Sequence, residues 1–155
     1  MTDSILTINS ILAPELTLCR VSGTSKKRIL EFISEKVAGE YPELDETRIF
    51  NNLIARERLG STGIGQGIAI PHCRLDGCTR VVGALVTLDE GVPFDAIDNQ
   101  PVDLLFTLIV PREATSEQLE LLSQLAEQFN DRGFCDALRA STSADELYQK
   151  MAGSH

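Results

Sequence analysis

Apolar residues recur along this chain with two different periods, and their order predicts its elements. Residues 8–20 hold a short turn around Ile11 and Leu12 and then a first strand near residues 16–21. Ile29, Leu30, Ile33 and Val37 fall on one face at helical spacing, and Thr24 or Ser25 stands where such a helix needs its cap. A second helix follows, with Asp45 as its cap, Ile49, Phe50, Leu53 and Ile54 inward, and Gly60 as its stop. The pattern then changes. Ile68-Ala69-Ile70 reads as a short strand ending on Pro71-His72, and residues 81–88 and 102–110 are longer runs of valine, isoleucine and leucine. The second run is nearly continuous, as a central strand covered on both faces must be. Residues 89–93 and 98–101 carry the glycine, proline, aspartate and asparagine of turns.

A third helix is predicted over residues 115–130. Thr115 to Gln118 fits a capping box, and Leu119, Leu122, Leu125, Ala126 and Phe129 form the inward stripe. Two shorter helices close the chain near residues 133–140 and 143–152, the last opening on a second capping box, Ser143 to Glu146. Helices, then strands, then helices predict a three-layer α/β sandwich around a mixed central sheet. No internal repeat, low-complexity tract or linker divides the 155 residues, so one domain with a full core is expected.

Charge narrows the partners. A formal charge of −9 argues against nucleic acid or an anionic membrane as the main ligand, since either calls for a basic face, and it allows a basic protein partner. No apolar run approaches the ~18 residues of a membrane span. The first residues, Met1-Thr2-Asp3-Ser4-Ile5-Leu6, lack the basic region and apolar core of a signal peptide. Cys19, Cys73, Cys78 and Cys135 are scattered without a disulfide framework, and read as idle thiols in a reducing cytoplasm.

Candidate chemistry concentrates between residues 60 and 75. The segment is glycine-rich, bears the hydroxyls of Ser61 and Thr62, and leads to His72, the one histidine besides the terminal His155. It is not a P-loop, because Gln66 follows Gly65 where a lysine is required. It is not a dinucleotide fingerprint either: the third glycine, Gly67, falls one place early and a strand follows instead of a helix. The nucleophile elbow Gly-x-Ser-x-Gly is absent.

Two readings of the loop remain: a connection between helix and strand, or an anion cradle built on Ser61, Thr62, Gly63 and Gly65. His72 likewise reads as a satisfied polar residue or as a nucleophile. Pro71 stiffens the backbone before it, and Arg56 and Arg58 close the preceding helix with guanidinium forks suited to phosphate. A neutral imidazole is available near pH 7. Metal binding by His72, Cys73 and Cys78 is disfavoured, because neighbouring strand residues point to opposite faces.

At these residues the chain resembles a bacterial family. Arg56-Glu57, Gly60-Ser61-Thr62-Gly63-Ile64-Gly65 and Gly67-Ile68-Ala69-Ile70-Pro71-His72 look like the signature of phosphotransferase-system IIA domains of the fructose/mannitol class, closest to the nitrogen-regulatory IIA proteins. Similarity extends over nearly the whole chain, including Val110-Pro111 and Asp145-Glu146-Leu147-Tyr148. The resemblance implies a phosphoryl carrier with His72 as acceptor and Arg56 steadying the phosphoryl group. The implied donor is an HPr-like phosphocarrier, and no cofactor is implied. Family members often carry a second histidine where this chain has Gln118. That residue is read either as a weaker second-site donor or as the N3 partner of the Thr115 cap.

A shallow apolar patch ringed by acidic residues is expected around His72, matched to a basic carrier. The chain ends soon after the matched region, which suits a regulator whose phosphorylation state controls partners. A fructose- or mannitol-type component serving a separate transporter, and a binding-only regulator, are the alternatives.

Overall fold

The computed structural model describes residues 7–23 and 25–153. The first residues, Thr24 as a cap and His155 lie outside them. In chain order the elements are α1 (Ile8–Ile11), β1 (Leu12–Val21), α2 (Lys26–Glu40), α3 (Glu46–Leu59), β2 (Gly63–Gly65), β3 (Ile68–Ala69), β4 (His72–Leu75), β5 (Val82–Val92), β6 (Val102–Pro111), α4 (Ser116–Phe129), α5 (Arg132–Arg139) and α6 (Ala144–Ala152). The six strands form one mixed sheet in the order β1-β5-β6-β3-β2, with β4 also on β6.

β6 is the centre, as its unbroken apolar run predicts. It pairs antiparallel with β5 and parallel with both β3 and β4. Leu104, Leu105, Phe106, Leu108 and Ile109 are completely buried. Alternate residues feed two cores. Leu105 and Ile109 pack with Ile29, Leu30, Ile33 and Val37 of α2 and Ile49 and Leu53 of α3. Leu104, Phe106 and Leu108 pack with Leu121, Leu125 and Phe129 of α4 and with Leu138 and Leu147 of the last two helices. Each such side chain contributes about 1.5–3 kcal/mol of burial, so the two cores hold the three layers together. No helix among the described residues is long and apolar enough to cross a membrane.

Several local expectations are corrected. A short helix, α1, stands where a turn was expected, and β1 starts at Leu12 rather than near residue 16. β1 tolerates Pro14 because it is an edge strand whose pairing with β5 shifts register between Leu12 and Thr17. β5 continues through residues 89–92, read as a turn from composition, because Val92 still pairs with Val102 across a bulge. The apolar stripe of α4 is rotated. Leu121 is fully buried and Ala126 exposed, while Leu119 and Leu122 are only half-buried. In the last helix Ser143 accepts the Glu146 N–H, but the Glu146 carboxylate accepts from Thr142 instead of closing the box.

The segment 68–75 positions the chemistry. Ile68 pairs with Leu104 and His72 with Leu108 in one constant register, so β3 and β4 are a single line of chain along β6. The break falls at Ile70-Pro71, where Pro71 offers no N–H but its carbonyl still accepts from Leu108 at 2.9 Å. His72 therefore opens β4 instead of ending the strand before it.

Candidate functional site

His72 is held at one nitrogen. Its Nδ1 lies 2.8 Å from the Ile70 carbonyl oxygen, which can only accept, so Nδ1 carries the proton. Nε2 keeps its lone pair and faces Arg56, whose Nε–H donates to it at 3.2 Å. Burial pushes the imidazole pKa below its ordinary 6.5. The hydrogen bond to Ile70 pulls the other way, the Arg56 charge lowers it further, and nearby Glu57 raises it. A neutral ring with Nε2 bare is the form a nucleophile requires.

Arg56 is placed by the end of α3. Gly60 closes that helix with φ 155°, and its carbonyl accepts Arg56 Nη1–H at 2.9 Å. The guanidinium is thereby tethered on one side and turned toward His72 on the other. Arg58, two residues further on and so on the other side of the helix, is exposed and makes no such contact.

Behind this pair lies a polar frame that the sequence alone does not reveal. The buried Glu57 carboxylate accepts from Thr62 N–H at 3.1 Å and from the Thr62 hydroxyl. It also meets Lys26 Nζ at 2.8 Å. Lys26 donates to the Phe94 carbonyl and sits 4.6 Å from the Phe94 ring centroid. Ser61 Oγ donates to the same carbonyl at 2.6 Å and accepts Gly63 N–H at 3.0 Å. Gly63 approaches the 93–96 segment so closely that a Cβ would sit 2.8 Å from that of Ala96. Gly65 faces Asp98, which accepts Gln66 N–H at 2.8 Å.

The structure thus brings His72 and Arg56 together. It commits the hydroxyls of Ser61 and Thr62, and the N–H groups of Thr62 and Gly63, to bonds within the chain. The glycine loop is a braced hairpin, with β2 and β3 paired antiparallel. Glu57 was visible only as the neighbour of Arg56 in the signature. Lys26 gave no signal, because its partner lies across the fold.

Gln118 closes the cap. Its Oε1 accepts Thr115 N–H at 3.0 Å, and its own N–H donates to Thr115 Oγ1 at 3.2 Å. Cys73 belongs to the core under α2 and α3, on the opposite side of the sheet from Ile68 and Ile70. Burial, with the neighbouring Cys78, pushes its thiol up to about 12, so it stays protonated. Among the described residues no three His, Cys, Asp or Glu side chains gather as metal ligands.

A groove of 390 Å³ opens at His72. Its walls are Ala55 and Leu59 of α3 and Leu119 and Leu122 of α4, and its floor is Leu108 and Val110. Leu59 is 85 % exposed, an unusual position for leucine. The expected apolar patch is present. Asn52, Arg56, Cys73 and Arg74 complete the lining, with no carboxylate among them.

Residues 10–153 match the family described as "Phosphoenolpyruvate-dependent sugar phosphotransferase system, EIIA 2". The nitrogen regulatory protein of Pseudomonas aeruginosa is 52 % identical over 145 residues, covering 94 % of each chain. That of Escherichia coli K12 is 49 % identical over 148 residues, covering 95 % of this chain and 90 % of its own. The crystal structure of nitrogen regulatory protein IIA-Ntr from Neisseria meningitidis matches with a TM-score of 0.87 at 40 % identity, over 93 % of this chain and 98 % of that one. Fold, site and these matches agree: the chain belongs to the EIIA type 2 family of the phosphoenolpyruvate-dependent sugar phosphotransferase system, beside relatives that carry the name nitrogen regulatory protein.

Proposed function

We propose that this protein is a cytoplasmic phosphoryl carrier of a nitrogen-type phosphotransferase system. His72 accepts phosphate from an HPr-like phosphocarrier, and the phosphorylation state of His72 regulates partner proteins. One observation carries the reading: His72 has its Nδ1 proton tied to Ile70 and its Nε2 lone pair directed at Arg56, at the head of an apolar groove.

The transfer needs positioning, neutralisation of charge and exclusion of water. His72 Nε2 attacks the phosphorus of the donor's phosphohistidine in line with the breaking N–P bond. The electron pair of that bond returns to the donor imidazole, and a new N–P bond forms on His72. The Nδ1 proton stays in place throughout, and the Ile70 carbonyl stabilises the positive charge that the ring gains. Arg56 gives up the nitrogen and turns its N–H groups to the phosphoryl oxygens while keeping its tether to the Gly60 carbonyl. Ser61, Thr62, Gly63 and Gly65 act at the phosphoryl group through the frame they build: Thr62 holds Glu57 and so the end of α3 that bears Arg56, Ser61 and Gly63 tie the loop to the Phe94 carbonyl, and Gly65 lies against Asp98. Gln118 serves the cap of α4.

The test is intact mass after incubation with phosphoenolpyruvate, enzyme I and an HPr-type carrier. Wild type is expected to gain one acid-labile, base-stable phosphoryl group and His72→Ala none. No gain in wild type with active upstream proteins would leave a binding-only regulator.

A further inference from the structure

The hairpin between Thr62 and Ile70 carries both halves of the phosphoryl site. At its base the Thr62 carbonyl accepts Ile70 N–H at 3.0 Å. The Ile70 carbonyl holds His72 Nδ1, and Thr62 holds Glu57, the neighbour of Arg56. Whatever fixes this hairpin therefore fixes how the nucleophile and the guanidinium stand to each other.

Its tip is held from outside. Gly65 pairs with Ile68, so Gln66 and Gly67 form a two-residue turn, with φ 60° and 80°. Tight turns with positive φ at both positions favour Asn-Gly, and a residue such as Gln66 adopts that backbone only at a cost. Arg139, in the last turn of α5, donates from Nη2 to the Gln66 carbonyl at 2.6 Å and from Nε to Asp103 Oδ1 at 3.0 Å. Asp98 accepts Gln66 N–H at 2.8 Å and Gln100 N–H at 3.1 Å. A Cβ on Gly67 would lie 2.8 Å from Arg139 Nη2, so the guanidinium rests directly on the turn.

The geometry points to Arg139 as a positioning residue for transfer to His72: by clamping the Gln66-Gly67 turn it steadies the hairpin on which both His72 and Arg56 depend. The assignment rests on the phosphocarrier reading above. Arg139 acts at a distance. Ile68, beside the turn, and His72 stand opposite Leu104 and Leu108 of β6, about 13 Å apart along the strand. The guanidinium is committed to Gln66 and Asp103 and, at 3.5 Å, to Asp136. Its side chain is 25 % exposed, which shields these charge-assisted bonds better than an open surface would. Asp103 belongs to β6, and α5 packs through Cys135 and Leu138 into the core on the α4 side of the sheet. The clamp thus anchors the tip of the hairpin to the central strand and to the helical layer behind it.

The experiment follows single-turnover labelling of His72 by a phosphorylated HPr-type carrier and by phosphoramidate, together with the imidazole ¹⁵N spectrum at neutral pH. Arg139→Ala is expected to lower the limiting rate with either donor roughly three- to tenfold, with the half-saturating carrier concentration within about twofold of wild type. The ¹⁵N signals of His72, widely split while Nδ1 is held by Ile70, should move toward each other as the ring gains access to both tautomers. Adding Gln66→Asn to that variant should bring the rate back to within about twofold of wild type, because Asn-Gly holds the turn without help. A role confined to seating α5 would leave the imidazole signals in place and gain nothing from Gln66→Asn. Asp98→Ala, at an exposed residue, loosens the turn from its other side and decides the matter where Arg139→Ala does not fold. It should slow labelling in the same way and be rescued by the same change. Wild-type rates in both variants, or a loss that Gln66→Asn does not recover, would overturn the assignment. If neither donor labels wild type on His72, the carrier reading itself is lost. Labelling of wild type with unaltered variants loses only the clamp.

Discussion

A histidine that takes up and passes on a phosphoryl group needs one nitrogen bare, the other held, and a cation that can follow the charge. His72 meets these needs through Ile70 and Arg56. Arg56→Ala is expected to slow phosphoryl transfer to His72 by roughly a hundredfold, the scale for loss of one charged donor at a developing anion. Rapid-quench kinetics of labelling would check it, and an unchanged rate would remove Arg56 from the chemistry. The same geometry sets a pH dependence. Because burial holds the His72 pKa below 6.5, transfer should stay constant through neutrality and decline only when acid protonates Nε2 below that value. A decline beginning above 6.5 would contradict a neutral, buried imidazole. These two residues were legible in the sequence because a glycine-rich loop, a proline and an arginine all pointed at one lone histidine. Lys26 and Glu57 were not, because their bond joins the start of one helix to the end of the next through three-dimensional packing.

Elements matter here for where they end. The last turn of α3 delivers Arg56, the break between β3 and β4 delivers His72, and Glu57 binds that turn to the glycine loop. Glu57→Ala leaves the Thr62 N–H and hydroxyl without their acceptor and Lys26 without its buried carboxylate, with the Phe94 carbonyl still in reach. The expected cost is about 2 kcal/mol in urea unfolding, below the full penalty of a buried unpaired charge because Lys26 retains some contact with water. Transfer should fall as well, since the loop that tethers Arg56 loses its brace. Full stability in that variant would show the frame to be ornamental. Gln118→Ala, by contrast, removes a capping contact and should cost about 0.5 kcal/mol while leaving transfer unchanged. A large transfer defect in the folded variant would make Gln118 a site residue.

The central strand and the principal helices were readable because each carries one clear period. The short strands β2 and β4 were not, because strands of three and four residues are too brief for a period and owe their existence to partners on β6 and β3. The stripe of α4 was misread for a related reason. Leu119 and Leu122 wall the groove, Leu122 also packing against the edge of the core, while Leu121 fills it.

At the scale of the whole molecule, the site is bound to folding through the same imidazole. In the unfolded chain His72 titrates at its ordinary 6.5, and in the fold burial holds it lower. The other histidine is the terminal residue, His155. Above 6.5 both states leave His72 neutral and it contributes no pH dependence. As the pH falls through 6.5 the unfolded chain takes up a proton that the folded chain refuses, and the balance shifts toward unfolding. The loss grows until the pH passes the lowered folded value and then levels. Wild type and His72→Gln differ in this one group, so carboxylate titrations common to both cancel in the comparison. Between about pH 7.5 and about pH 5, the urea midpoint of wild type should therefore fall further than that of the variant, with a constant difference above neutrality. If the variant loses more than wild type on acidification, the folded protein binds the proton more tightly than the unfolded chain. The imidazole would then take up its proton above its ordinary 6.5 rather than below it, against the burial that surrounds it.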